Sequence, residues 1–342
     1  MCQISVSKSE QILALLKSNP NIIITTHSNP DGDAIGSSLG LFHMLKTLGI
    51  KTSIVIPNEI PDFLAWLPGS EEIVRFSKQK EAAQKLIGEA NVIFALDFNG
   101  PGRLEEMKGD FSNSKAIKIL IDHHPHPEDI FDWKLSETKA SSTAELVYEF
   151  ATILNAESKI NLQAAQSIFT GIMTDTGSFS YGCSNPRTFE IAAKLISKGA
   201  KVEEIQQQVY NNFSENRMRL MGHALTNKMK VFPAYRSAFI SLTRKELNQF
   251  KYKIGDTEGL VNLPLSIKNI IFSALLIENT DYVKVSLRSA GNFEANKICE
   301  KYFNGGGHIN AAGGKSFVPL SETEEKFIEI LKKHQNELKH AR

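Results

Sequence analysis

The first half of the chain alternates short, almost wholly apolar runs with longer amphipathic stretches, and this pattern restricts it to parallel strands flanked by helices. NIIITT at 21–26, TSIVI at 52–56, VIFALDF at 92–98 and IKILID at 117–122 read as strands. Runs so apolar suit strands buried on both faces of a sheet. Helices are expected at 33–48, 142–154, 162–173 and 186–198, the last opening on Pro186 near its first turn.

After residue 200 the pattern changes. The polar stretch 201–227 has helical character and is expected to link two domains. Beyond it, 232–243, 269–278 and 282–289 read as strands, with helices near 294–303 and 322–338. At 342 residues the chain exceeds what one core usually holds. The expected layout is α/β: a parallel-sheet domain over 1–200, a helical linker over 201–227, and a smaller α+β domain over 228–342.

Charge narrows the partners. Lys and Arg number 39 against 38 Asp and Glu, a formal net charge of +1. Long duplex nucleic acid is therefore not expected, since its binders usually carry a strong basic excess. A small anion held in a local basic pocket remains open. The three cysteines are odd in number and far apart, which suits a reducing cytoplasm. No basic start followed by an apolar run suggests a secretory signal, and no uncharged run approaches a membrane span.

The chemistry sits where strands end. HSNPDGDAIGS at 27–37 follows the first strand, with Pro30 and Gly32 forcing a turn that clusters His27, Asp31 and Asp33. Such a cluster is costly unless it holds a cation; the bland alternative is a turn whose aspartates cap the next helix. Asp97 ends the third of these strands, Asp122, His123 and His124 end the fourth, and Asp175 sits where the helix from 162 breaks. Open α/β sheets bind ligands beyond the carboxyl ends of their strands. Together these groups suit two metals sharing one carboxylate, a pair able to lower the pKa of a water and stabilise a phosphate in in-line displacement.

The second domain offers GGGHINAAGG at 305–314. Consecutive glycines, Gly305, Gly306 and Gly307, let backbone amides converge on an anion, and His308 adds a donor that can be charged near neutrality. Arg103, after Asp97, and Arg288, at the end of a strand, are candidates to grip a phosphate. Tyr302 and Phe303 are either core residues of the preceding helix or a stacking platform for a base.

In the order and spacing of these motifs the chain resembles the DHH/DHHA1 phosphoesterase superfamily over nearly its whole length. Its size and two-domain plan look like the short stand-alone members, the oligoribonuclease/pAp phosphatase (nanoRNase) type. The resemblance implies one metal on His27, Asp31 and Asp97, and another on Asp33, Asp97, His123 and Asp175. Asp122 would orient ligands from behind, and His124 would face the substrate phosphate. The second domain would present Arg288 and 305–308 to the nucleotide. The implied cofactors are two divalent ions, Mn2+ foremost, with Mg2+ or Co2+ as alternatives. The implied substrates are short RNA fragments and 3′-phosphoadenosine 5′-phosphate. Alternatives are linear pApA, pyrophosphate or short polyphosphate, and, outside enzymes, a nucleotide-binding regulator. A homodimer is common at this size, but no interface is identifiable.

Overall fold

The computed structural model describes residues 6–341, which divide into two compact units parting between Asn212 and Phe213. The first unit contains α1 (Val6–Ser18), β1 (Ile22–Thr26), α2 (Gly32–Thr47), β2 (Thr52–Ile56), β3 (Val74–Arg75), α3 (Lys80–Gly88), β4 (Val92–Leu96), α4 (Lys108–Asn113), β5 (Ile117–Asp122), β6 (Trp133–Ser136), α5 (Thr143–Ile153), α6 (Leu162–Asp175), α7 (Pro186–Ser197) and α8 (Val202–Tyr210). Its six-stranded sheet has the order β3-β2-β1-β4-β5-β6 and is parallel throughout. The period-two rule of a strand is visible in the core. Ile22, Ile24, Ile54, Ile56, Phe94, Leu96, Ile119 and Ile121 pack on the face covered by α2, α5 and α6, whereas Ile23, Val55, Ile93, Ala95 and Leu120 pack on the face of α3 and α4.

From β1 the chain winds outward through β2 and β3, then returns to place β4 on the other side of β1. That reversal opens a crevice beyond the carboxyl ends of β1 and β4, the usual ligand position in open α/β sheets. On one side of it α2 lies close to α6. A Cβ built on Gly36 would lie 2.6 Å from the Ser167 carbonyl oxygen and 2.7 Å from the Gly171 nitrogen, so only glycine fits there.

The second unit runs α9 (Glu215–His223), β7 (Met229–Phe232), β8 (Ser237–Leu242), α10 (Arg244–Gln249), β9 (Phe272–Glu278), β10 (Val283–Ser289), α11 (Ala295–Tyr302), β11 (Gly306–His308), β12 (Ala311–Ser316), α12 (Leu320–Lys333) and α13 (Gln335–His340). Its mixed sheet has the order β11-β12-β10-β9-β8-β7, antiparallel except between β8 and β9. Among the described residues no helix is long and apolar enough to cross a membrane.

Several details differ from the sequence reading. The stretch 201–227 is two helices followed by a π turn: α8 buries Ile205 and Val209 in the core of the first unit, and α9 buries Leu220 in the second. The expected strand at 232–243 is broken by a 3₁₀ turn, Pro233–Tyr235, and by Arg236 in the left-handed region at φ 50°. Proline lacks the N–H that a continuing ladder would need. The helix expected at 322–338 is split at His334. The glycine run is an edge hairpin, β11–β12, rather than an open loop.

Glu246 shows how a local sequence signal becomes stability. With Thr243 it forms the capping box of α10, and its carboxylate also lies 3.0 Å from Lys228 Nζ and 3.1 Å from His223 Nε2. Burial opposes its charge, but the Thr243 amide and hydroxyl, Lys228 and His223 together hold the pKa down to about 2. A depressed carboxylate stabilises the fold above its unfolded pKa, and the benefit disappears as pH falls toward the folded value. Glu246→Gln should therefore cost about 1 kcal/mol at pH 7. Urea titrations should show this difference shrinking below about pH 4.

Candidate metal centre

Four chain segments deliver the acidic and imidazole groups to the crevice. His27 follows β1. Its Nδ1 lies 2.9 Å from the Ser28 carbonyl oxygen, a contact that places the proton on Nδ1 and turns Nε2 toward the carboxylates. Nε2 is 3.4 Å from Asp97 Oδ2 and 4.0 Å from Asp31 Oδ2. Asp31 Oδ1 accepts the amides of Asp33 and Ala34 at 3.0 Å, so Asp31 is also the N-cap of α2. The capping and the clustering proposed as rivals from sequence occur together, on different oxygens of one carboxylate.

His123 follows β5. Its Nδ1 lies 3.4 Å from the Ala140 carbonyl oxygen, and its Nε2 is 3.5 Å from Asp175 Oδ2, 3.6 Å from Asp97 Oδ1 and 3.8 Å from Asp33 Oδ2. Asp97 thus stands between two groups, His27 and Asp31 on one side, His123, Asp33 and Asp175 on the other. Its backbone is left-handed, φ 64°, with its amide held by the Ile121 carbonyl. A non-glycine residue in that region is uncommon and costs energy, which is typical of functional positions.

One short turn holds two of these carboxylates from behind. Asp33 Oδ2 and Oδ1 accept the amides of Thr143 and Ala144, at 2.6 and 2.8 Å, from the N-terminus of α5. The Thr143 hydroxyl donates to Asp97 Oδ1 at 2.9 Å. The sequence predicts a helix start here but contains no local pattern that assigns the turn a role. Glu145, an acidic residue followed at once by the apolar Leu146 and Val147, is the available signal.

Buried carboxylates crowd one another at this site. Asp33 and Asp97 are pushed well above the ordinary carboxylate range, first by burial and then by neighbouring carboxylates. Burial and the nearby Arg103 charge lower His27, and burial with the neighbouring His124 lowers His123 to about 4. Neutral imidazoles with Nε2 directed inward are metal-ligating forms. Asp122 is fully buried; its Oδ1 accepts from His124 Nδ1 at 2.7 Å, and among the described residues its Oδ2 has no hydrogen-bond partner. Burial disfavours charge on His124, but the hydrogen bond to Asp122 and the charges of Asp97 and Asp122 raise its pKa nonetheless.

The donor atoms of His27, Asp31 and Asp97, and those of Asp33, His123 and Asp175, each lie within 4.8 Å of one another. Ligands about 2.1 Å from a shared ion stand at such separations, and the mixed carboxylate–imidazole set suits a divalent cation. Just past Asp175 the chain makes a turn in which Gly177, Ser178 and Phe179 are all left-handed, at φ 53°, 56° and 61°. The Phe179 ring is clasped between Phe169 and Phe189. Arg187 is not offered to a ligand, since it pairs with Glu149 and Glu190.

In the second unit, sheet register settles which residues share a face. Arg288 on β10 is opposite Ala311 on β12, and Ala311 is opposite His308 on β11. Directly opposed residues point to the same side, so Arg288 and His308 stand in one row. The neighbouring row, Leu287, Ala312 and Gly307, faces the other way, into the core. Gly305 and Gly307 are needed for close strand approach: added Cβ atoms would lie 2.0 Å from the Gly313 oxygen and 2.4 Å from the Ala311 oxygen. Phe303 is fully buried and serves the core rather than a base.

Comparison with known proteins agrees with this geometry. The N-terminal domain model of the DHH family matches residues 21–172, and the DHHA1 domain model matches 239–339. A bifunctional oligoribonuclease and PAP phosphatase, NrnA, from Thermus thermophilus is 30% identical over 91% of this chain and 89% of its own length. The cyclic-di-AMP phosphodiesterase GdpP of Bacillus subtilis is 29% identical over 93% of this chain, but only 48% of its own length is matched. The crystal structure of an exopolyphosphatase-related protein from Bacteroides fragilis is 44% identical, covers 99% of this chain and 100% of its own, and superposes with a TM-score of 0.93. With this fold, these groups at the strand exits and these relatives, the chain belongs to the DHH/DHHA1 family of phosphoesterases and is a hydrolase of phosphate esters.

Proposed function

We propose that the chain hydrolyses short oligoribonucleotides and 3′-phosphoadenosine 5′-phosphate at a centre of two divalent cations, Mn2+ foremost. The observation that carries this reading is Asp97, whose Oδ2 faces His27 and whose Oδ1 faces His123. His27, Asp31 and Asp97 would hold one ion, and Asp33, Asp97, His123 and Asp175 the other. When bound, such a pair supplies positive charge that acidifies water and neutralises phosphate oxygens. His124, whose pKa the tie to Asp122 raises, is assigned to a phosphate oxygen. Arg103, exposed and close enough to depress His27, is assigned to phosphate as well. Nucleotide binding in the second unit is assigned to Arg288, His308 and the Gly305, Gly306 and Gly307 backbone on the evidence of the shared row. The near-neutral charge favours short rather than long nucleic acid.

A second reading keeps the centre and changes the substrate to a short polyphosphate, or to linear pApA. The likeness to the exopolyphosphatase-related protein and to GdpP favours it. Phosphate release from 3′-phosphoadenosine 5′-phosphate, with Mn2+ and with EDTA, separates the readings. Release should require Mn2+ and vanish in Asp97→Ala. If protein that binds Mn2+ releases nothing from this nucleotide but degrades polyphosphate or pApA, the second reading stands.

A further inference from the structure

Asp97 faces two ways at once, yet nothing intrinsic to an aspartate enforces this. The torsion that turns its carboxylate is broad, because it joins an sp³ carbon to an sp² one. Among the described contacts, the side-chain hydrogen bond that restrains it is the one from the Thr143 hydroxyl, 2.9 Å from Oδ1. Thr143 is the first residue of α5, and its own amide and that of Ala144 clasp the Asp33 carboxylate. The turn thus fixes one carboxylate assigned to both ions and one assigned to the second ion alone.

The turn is itself braced. Ser142 caps α5 through the Glu145 amide at 3.0 Å. Glu145, only 2% exposed, does not close the usual capping box. Its Oε2 accepts the Ser141 hydroxyl at 2.6 Å, the Ser141 amide at 3.2 Å and the Thr188 hydroxyl at 2.7 Å. A buried carboxylate is thereby spent on pinning the residues just before Thr143 to α7. Packing alone would have placed an apolar residue at this position.

We propose that Thr143 is a positioning residue, which sets the Asp97 carboxylate for metal binding through its hydroxyl, and that Glu145 with Ser141 and Thr188 holds Thr143 in register. This rests on the metal-centre reading above. Groups that orient metal ligands from behind typically change metal affinity or activity by about 10- to 100-fold when removed. Valine matches threonine in shape and lacks the hydroxyl, while serine keeps the hydroxyl and loses only a methyl.

The test is Mn2+ titration calorimetry on metal-free protein, with thermal melts of the same samples and kinetics on 3′-phosphoadenosine 5′-phosphate. Thr143→Val should weaken Mn2+ binding about 10- to 100-fold and lower kcat. KM should stay within about twofold, because Thr143 is assigned no contact with substrate. Thr143→Ser should recover Mn2+ affinity to within about threefold of wild type, since it restores the same hydrogen bond. Wild-type Mn2+ affinity in Thr143→Val overturns the positioning role, and so does a serine variant as impaired as the valine one. If Thr143→Val fails to fold, the serine variant decides alone, with unrescued affinity overturning the role. Wild-type protein that binds no Mn2+ overturns the metal-centre reading, and this inference with it.

Discussion

Asp97→Asn is expected to lose at least about 10³-fold in activity while melting at a higher temperature than the wild type, both metal-free. The activity loss follows from replacing a carboxylate assigned to both ions by a neutral amide. The stability gain follows from three features of the same residue. Asp97 is buried beside other carboxylates, so removing its charge relieves both desolvation and repulsion. Asparagine tolerates the left-handed backbone at φ 64°. Its carbonyl oxygen can still accept the Thr143 hydroxyl. The gain should be about 1–2 kcal/mol, in the range usual for relieving a strained functional site.

The gain also carries a pH signature. Asp97 has its folded pKa raised, so its folded form holds a proton that the unfolded chain releases near the ordinary carboxylate value. The Asp97 contribution to wild-type stability is therefore fullest below about pH 4 and falls as pH rises toward the folded pKa. The gap between variant and wild type should open across that window. Mn2+ should then raise the wild-type melting temperature, as any ligand of the native state does, and leave the variant almost unmoved. Differential scanning calorimetry at pH 4 and pH 8, with and without Mn2+, checks every part. A variant less stable than wild type at both pH values would contradict it.

Gly36→Ala should be among the most damaging single methyl additions in the first unit. The new carbon would sit 2.6 Å from the Ser167 carbonyl oxygen, 2.7 Å from the Gly171 nitrogen and 2.9 Å from the Gly171 Cα, all backbone. No rotamer change relieves such contacts, so α2 and α6 must separate. Overpacking of this kind costs about 3 kcal/mol. In a unit of this size that corresponds to a fall of about 6–12 °C in melting temperature. Activity should fall further than stability alone requires, because α2 carries Asp33 and α6 ends at Asp175. Alanine at the exposed Gly88 in α3, where an added Cβ meets nothing within 4 Å, serves as the control and should leave stability unchanged or slightly raised.

The parts of this architecture readable from sequence were those with strong local signals. Strands at 22–26, 52–56, 92–96 and 117–122 are mostly apolar runs, and their existence follows from residue type. The edge strands β3 and β6 were not legible, because Val74–Arg75 and Trp133–Ser136 are too short to show a period. The apolar spacing of α1 and α3 is diluted by interspersed polar residues, so neither stands out in the sequence. At the centre, residue types at strand exits pointed to His27, Asp31, Asp33, Asp97, His123 and Asp175, all of which the fold gathers in the crevice. Thr143 could not be found that way. Its bond to Asp97 spans 46 residues and depends on where α5 docks, which no local pattern encodes.

The packing of α2 on α6 also orders events in time. The Asp175 side of the cluster exists only once α6 has docked, and that docking completes much of the same apolar core. A chain leaving the ribosome would expose His27 and Asp31 long before α6 emerges, at about 5–20 residues per second. The second of the two proposed ion sites, which needs Asp175, would therefore be complete only after α6 has docked. The apolar core of the unit packs without any contribution from an ion, so chelation is expected to silence the protein without unfolding it.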